Sequence, residues 1–308
     1  MHEVRENVPL SELTTFKIGG SARYFVDVRS EQELLESFEW ASSHKVRHMI
    51  FAGGSNVLMP DAGIDALMVR IKGDLWGVSG EMVDTWAGTN LLLLIESMGK
   101  NGLGGWEKLA GIPGTIGGAV RGNAGAFGSE LKDFVHIVRA LNIKTKEIRE
   151  FTNAECDFSY RHSYFKVTPE WVITRAIFKL HALDSVDSAR LVQETIAERE
   201  KRHLQNVRAA GSYFMNPVAP EAVQKLFEEE KGMKARNGRV PAGWLIEKAG
   251  MKGARVGGAI ASIQHPNYLV NENDASSKDV LELALKVKKA VLDKFGVELQ
   301  EEAEVMQG

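Results

Sequence analysis

With a single cysteine, Cys156, in 308 residues, the chain has no internal disulfide framework, no CxxC redox pair and no cysteine-based zinc site. Any redox chemistry therefore needs a borrowed cofactor. A basic excess is missing too: 38 Lys and Arg stand against 41 Asp and Glu, a formal net charge of −3. That removes the electrostatic footprint of a nucleic-acid or anionic-membrane binder. Long apolar runs are absent. The longest, Leu91 to Ile95, falls far short of the ~20 residues that span a bilayer. The opening MHEVRENVPL carries acids and no apolar core segment, so it does not read as a signal peptide. No repeat or low-complexity tract is visible. What is left is a cytoplasmic globular chain, 44% hydrophobic and 26% charged, long enough for about two domains.

Hydrophobic periodicity places the elements. Segment 30–44 starts with Ser30 as N-cap and Glu33 as the return partner of a capping box, with Leu34, Leu35, Phe38 and Ala41 as its apolar stripe. Strand-like runs follow at 48–52, 66–71, 82–88, 137–143 and 171–180. Helices fit the LLLLIESMGKNG segment, 219–231 and 278–295, the last entered through Ser276/Ser277 and stopped by Gly296. The charged segment 187–204, with few apolar residues, reads as a helical hinge between two domains. Strands and helices mix without strict βαβ alternation, which predicts an α+β fold rather than a doubly wound sheet.

Glycine is abundant in one place. AGIPGTIGGAVRGNAGAFG, residues 110–128, holds seven glycines and one charged residue. A second glycine segment, AGGSNVL (52–58), comes directly after a strand. Neither matches G-x-G-x-x-G opening a helix or G-x-x-x-x-G-K-[ST], so Rossmann and P-loop readings are disfavoured. Tight glycine turns can present successive amides to a pyrophosphate. Gly53, Gly54, Ser55 and Asn56 suit that use, as do Gly117, Gly118 and Asn123. Each segment alone serves equally well as a tight corner.

Taken in order, GGSNVL, GLGGWEKLAGIPGTIGGAVRGNAGAFG and YRHSYF resemble the UDP-N-acetylenolpyruvoylglucosamine reductases (UDP-N-acetylmuramate dehydrogenases) of bacterial peptidoglycan synthesis. TTFKIGG, AGSYFMNP, AGWLIEKAG, HPNYLVN and FGVELQEEAEV extend the likeness over nearly the whole chain. The resemblance implies a vanillyl-alcohol-oxidase/PCMH-type FAD-binding domain of two α+β subdomains over 17–183, and a smaller α+β substrate-binding domain over 195–308. It implies non-covalent FAD, held by Gly53, Gly54, Ser55, Asn56, Val57, Leu58, Gly111, Pro113, Gly114, Thr115, Gly117, Gly118, Asn123, Gly125 and Ala126. NADPH is the implied reductant and a UDP-sugar the substrate, in a cytoplasmic monomer or weak oligomer serving cell-wall synthesis, cell shape and division. No metal constellation accompanies His265 and Asn267, which could touch substrate.

That reaction needs a clamp for a carboxylate that develops enolate charge, and a proton for the adjacent carbon. The resemblance assigns the clamp to Arg161, whose planar fork grips a carboxylate as lysine cannot. It assigns proton donation to Ser212 and to Glu302. Tyr160 lines the substrate site, and Asn216 meets the substrate diphosphate. Three departures stand out: Met215 where lysine is usual before Asn-Pro, Glu301 where proline is usual, and Ala303 where valine is usual. Between Arg161 and Ser212 no room is found for a long tyrosine-bearing loop, so the shorter form of the family is expected. A related flavin oxidase and a non-catalytic nucleotide-binding protein stay open as other readings. Neither needs Arg161, Ser212 and Glu302 as a set.

Overall fold

The computed structural model describes residues 3–202 and 207–308. Its contacts divide the chain into two units. The first takes 1–8, 22–54 and 65–201; the second takes 9–21, 55–64 and 202–308.

The first unit is built on two sheets. A four-stranded sheet runs in the order Arg5–Pro9, Ser21–Val28, Ile64–Ile71, His48–Phe51, and its last two strands are parallel with His48 opposite Leu67. A five-stranded antiparallel sheet runs Ile148–Thr152, Val135–Asn142, Trp171–Lys179, Met82–Trp86, Trp76–Ser79. Its alternation buries one face, as antiparallel strands commonly do. Val138, Phe151, Ala176 and Phe178 join Leu67, Val69, Leu94, Met98 and Trp106 in one core. The α+β expectation holds.

Helix Glu31–Ser43 begins where the sequence places it. Ser30 accepts from the Glu33 amide at 3.2 Å, but the Glu33 carboxylate reaches back to the Arg29 amide rather than closing the box on Ser30. Leu34, Phe38 and Ala41 are buried. The strands Arg5–Pro9 and Ser21–Val28 go beyond the expectation from sequence. The first is short and largely exposed; in the second, Asp27 interrupts the apolar run and is held by Arg70.

The charged helix forms over Ser185–Lys201, and residues 203–204 of that segment lie outside the described residues. It is a packed part of the first unit rather than a free-standing hinge. Ser188 and Val192 are buried, and the Ser188 hydroxyl donates to Glu107 at 2.9 Å. Gly99 makes room for it: a Cβ there would come within 2.4 Å of the Ser188 Oγ. Cys156 is buried, and burial, helped by Glu155, pushes its thiol up to about 12. It stays protonated and inert at neutral pH.

The second unit packs helices Glu221–Lys231, Ala242–Lys248 and Ser277–Phe295 with a three-stranded antiparallel sheet, Arg255–Val256, Ala259–Ala261 and Leu269–Asn271. Its core gathers Phe16, Ile18, Leu58, Phe214, Phe227, Trp244, Leu283, Val287 and Leu299. A full capping box joins Ser276 and Asp279, and Gly296 ends the long helix at φ +62°, as expected of a C-terminal glycine. Asn271 ties distant pieces together. Its amide group donates to the carbonyls of Phe16 at 3.2 Å and Lys17 at 3.3 Å, while its oxygen accepts from the Ala275 amide at 2.8 Å. Replacing Asn271 with alanine orphans the buried Ala275 amide, which by itself costs about 1–3 kcal/mol. Urea unfolding of Asn271→Ala is expected to show a lowered midpoint; an unchanged midpoint would refute the assigned role.

Candidate functional site

The two glycine segments meet in the first unit. A Cβ on Gly53 would lie 3.0 Å from the Gly114 Cα, so the two backbones pack against each other with no room for side chains. Gly114 sits at φ +129°, a conformation that L side chains rarely adopt. Thr115 then caps the short helix Ile116–Arg121, accepting from the Gly118 amide at 3.4 Å. Gly117 donates its amide to the Ala87 carbonyl at 2.8 Å, and Asn123 donates its own to Val120 at 3.1 Å. Those two amides are engaged within the chain. What both positions offer a ligand is close approach rather than a donor. The Asn123 side chain is fully buried and also engaged, with Glu130, Ser159 and the Lys132 amide.

Gly118 is different. It is exposed, lies in a helix at negative φ, and a Cβ there would meet only Ala52 Cβ at 3.6 Å and Thr115 Oγ1 at 3.7 Å, ordinary contact distances. Nothing in the chain itself explains why alanine is absent, although glycine in a helix costs about 0.5–1 kcal/mol against it. A group approaching from outside accounts for it, which is the fit a flavin nucleotide requires. Gly111 adopts φ +76°, Pro113 is exposed between it and Gly114, and Gly125 and Ala126 pair with Ser129 and Glu130 as a small hairpin.

Arg161 is brought to this run. Its Nη2 donates to the Gly125 carbonyl at 3.0 Å, and its guanidinium lies 5.1 Å from the Tyr160 ring centre. The backbone there is strained: Arg161 has φ +56° inside the turn closed by Ser159 and His162. A non-glycine residue in that region costs of order 1–3 kcal/mol, and such strain gathers at functional sites. Lys166 steadies the turn by donating to the Arg161 carbonyl at 3.0 Å, and Ser163 by donating to Arg121 at 2.7 Å.

Apart from Gly54, which ends a segment of the first unit, the other expected residues lie in the second unit. Gly54 at φ +66° leads into Ser55. Val57 and Leu58 form a parallel pair with Glu304 and Val305, and the Leu58 side chain is core. Asn56 joins that pair, donating to the Glu302 carbonyl at 3.0 Å and accepting from the Glu304 amide at 3.0 Å. Ser212 follows Gly211 at φ +73°, and its half-buried hydroxyl meets no partner among the described residues. From there the chain pairs with its own end. Phe214 bridges Glu301, the Glu302 amide donates to the Tyr213 carbonyl at 2.8 Å, and the Met215 amide donates to Gln300 at 2.9 Å. Glu302 is thus the backbone partner of Tyr213, the residue after Ser212.

Three residues reveal parts that sequence reasoning did not assign. Asn267, 2% exposed, takes the Phe214 amide at 3.0 Å and gives a bond to the Phe214 carbonyl at 2.8 Å. It is a backbone clamp. Arg239 donates to the Asn216 carbonyl at 2.7 Å, while the Asn216 side-chain oxygen accepts from the Ala242 amide at 2.9 Å. Lys288 donates to Glu301. No motif marks Arg239 or Lys288, because each is one cation among many until the fold places it. Among the described residues, the buried Tyr213 hydroxyl and His265 Nδ1 meet no hydrogen-bond partner. Burial, assisted by Glu301, raises the Tyr213 phenol, and burial lowers the His265 imidazole. Both stay neutral at pH 7. Among the described residues, no cluster of three or more His, Cys, Asp or Glu is arranged to hold a metal ion.

Comparison with known proteins gives these geometries a context. Residues 202–306 match the model of the UDP-N-acetylenolpyruvoylglucosamine reductase C-terminal domain, and residues 22–151 match that of an FAD binding domain. The chain is 33% identical to the UDP-N-acetylenolpyruvoylglucosamine reductase of Solibacter usitatus, covering 98% of this chain and 96% of that one. Against that of Bacillus subtilis it is 33% identical, covering 99% and 95%. The crystal structure of the reductase from Thermus caldophilus superposes with a TM-score of 0.79 at 30% identity, covering the whole of both chains.

The contrast between neighbouring glycines is testable. Gly117→Ala places a methyl 3.0 Å from the Ala87 Cβ and 3.2 Å from its carbonyl oxygen, so it is expected to lower thermal stability. Gly118→Val is expected to fold and lose bound flavin, read as flavin-to-protein absorbance after gel filtration. A fully yellow Gly118→Val protein would sink this account of the glycine run.

Proposed function

The chain belongs to the UDP-N-acetylenolpyruvoylglucosamine reductase family, and from that premise we propose how its own residues divide the work. The activity is FAD-mediated reduction of the enolpyruvyl ether of UDP-N-acetylglucosamine to UDP-N-acetylmuramate, in peptidoglycan precursor synthesis, with NADPH as reductant. When bound, FAD supplies the hydride chemistry that no side chain offers. We assign its pyrophosphate to the surface where Gly53 meets Gly114 and Gly118 is bare, in an FAD-binding domain formed by the unit of 1–8, 22–54 and 65–201 rather than by one run over 17–183. We take the substrate domain as the unit of 9–21, 55–64 and 202–308 rather than 195–308, because residues up to 201 pack with the first unit.

Arg161 is the carboxylate clamp. Its planar fork faces the charge that grows on the substrate carboxylate as the terminal carbon is reduced, and Tyr160 and Gly125 fix its orientation beforehand. Orientation fixed in advance removes the reorganisation that a flexible cation needs. Ser212 delivers the proton to the carbon next to the carboxylate. A serine hydroxyl is a weak acid, so it needs a neighbour to stabilise and refill it, and we assign that part to Glu302, whose amide bonds the carbonyl of the following residue, Tyr213. Asn216 meets the diphosphate with a side chain oriented by the Ala242 amide. Met215 leaves that locus without the lysine usual in the family, and Arg239 at the Asn216 carbonyl brings a cation to it. The protein works in the cytoplasm, as a monomer or weak oligomer, and its product serves cell shape and division.

The observation that carries this reading is the hydrogen-bonded register joining the Ser212 segment to Glu302. Ser212→Ala is expected to fold, bind FAD and bleach with NADPH at the parental rate. Recolouring by the enolpyruvyl substrate should slow by roughly a hundred- to ten-thousandfold, the usual loss with a positioned acid. Ser212→Cys should recover part of it. Arg161→Lys, which keeps charge but loses the fork, should weaken recolouring and spare bleaching. Stopped-flow traces in which the alanine variant recolours at the parental rate would overturn the assignment. Acid precipitation should release all flavin to the supernatant; flavin in the pellet would contradict non-covalent binding.

A further inference from the structure

Asn123 is fully buried and sits at φ +43°, a left-handed conformation that asparagine tolerates better than most residues. Its side chain reaches out of the glycine run to three partners. The oxygen accepts from the Lys132 amide at 3.0 Å, and the nitrogen donates to Glu130 at 3.2 Å and to the Ser159 carbonyl at 2.9 Å. That carbonyl also accepts from the His162 amide at 3.1 Å, so the two donors occupy both of its lone pairs. The His162 bond closes the turn that carries Arg161 at φ +56°; the Asn123 bond fastens the start of that turn to the run. At the far end Ser163, also fully buried, donates to the Arg121 carbonyl at 2.7 Å. Between them Arg161 donates to the Gly125 carbonyl at 3.0 Å.

We propose that Asn123 is a positioning residue for Arg161, fixing the clamp to the glycine run through the Ser159 carbonyl, rather than a donor to the cofactor. The inference rests on the reading of Arg161 as the carboxylate clamp. The physical reason is that the turn does not locate itself. Left-handed strain persists only where the surroundings determine it, and the two bonds between Ser159 and His162 close the turn without fixing its place against the run. Ser163 holds only the far end, and the Arg161 bond belongs to the fork that has to be aimed. Asn123 holds the near end from a site that excludes water. Its amide supplies donor and acceptor together without a charge to bury. An aspartate there would set a second carboxylate against Glu130 and the Ser159 carbonyl. A fork that grips a carboxylate through two parallel bonds tolerates little displacement, and a shift of about 1 Å costs up to about a hundredfold in rate.

The test uses the FAD-loaded protein. Asn123→Gly keeps the left-handed backbone and removes the side chain. Asn123→Asp keeps the acceptor for Lys132 and loses the donor to Ser159. Both are expected to melt earlier, because buried partners lose a bond, so stability is not the readout. Each should keep the parental ratio of flavin to protein and the parental rate of bleaching by NADPH. Recolouring by the enolpyruvyl substrate should slow by about ten- to a hundredfold. In an Arg161→Lys background, where the fork is already gone, neither change should slow recolouring further. Parental recolouring in either single variant would overturn the proposal. So would a full multiplicative slowing on top of Arg161→Lys, which makes Asn123 independent of the clamp, or a loss of flavin that Arg161→Lys does not share, which makes it a cofactor residue. Arg161→Lys alone separates the two levels of inference. If it recolours at the parental rate, the clamp itself has failed. If it is slow while the Asn123 variants are not, only the positioning role is lost.

Discussion

The second unit depends on the chain's end returning to pair with residues 213–215. Three backbone hydrogen bonds make this joint: Met215 to Gln300, and Glu302 and Ala303 to Tyr213. Each adds only about 1 kcal/mol net, yet they close a loop of almost the whole unit, so the entropy of ordering the tail is offset only if the segment it meets is already fixed. Asn267 fixes it, engaging both backbone groups of Phe214 from a position that excludes water. Asn56 and the Val57–Leu58 strand complete the anchorage from the other side. The segments that carry Ser212 and Glu302 therefore take their geometry from main-chain pairing, with side-chain polarity in a supporting role.

The first unit solves a different problem, that of bringing two loops together with bare backbone. Gly53 against Gly114 leaves no side chain between the two loops. Several amides that might have served as donors are satisfied internally, as Gly117 by Ala87 and Asn123 by Val120. Satisfaction of that kind stiffens the loops. The strain at Arg161 belongs with this. A left-handed arginine persists only where its surroundings determine it, and here they include Lys166, Gly125 and Tyr160.

Much of this was legible beforehand, for reasons particular to each element. The long helices announced themselves because caps and apolar stripes are local: Ser276 with Asp279, Gly296, and the buried positions of Ser277–Phe295 all lie within one short segment. Lone cysteine chemistry, charge balance and the glycine run are likewise properties of composition and spacing. The charged helix misled because its buried Ser188 bonds a partner, Glu107, that lies 81 positions away. Asn267 read as a possible substrate contact because an asparagine's polarity is visible in a sequence, while the backbone groups it satisfies are not.

The amino-acid sequence by itself determined most of the element types, the need for a borrowed redox cofactor and the membership implied by its ordered motifs, and it marked Arg161, Ser212 and Glu302 as candidates. These follow from side-chain chemistry and from contacts a few residues apart. Tertiary structure alone decided that residues 9–21 and 55–64 join the C-terminal segment in one unit, that Glu302 stands in register with the residue after Ser212, and that Lys288 meets Glu301. Each is a pairing between distant positions. Nothing local distinguishes the right partner from the many others of the same type; only closure of the chain, with its burial and hydrogen-bond satisfaction, selects it.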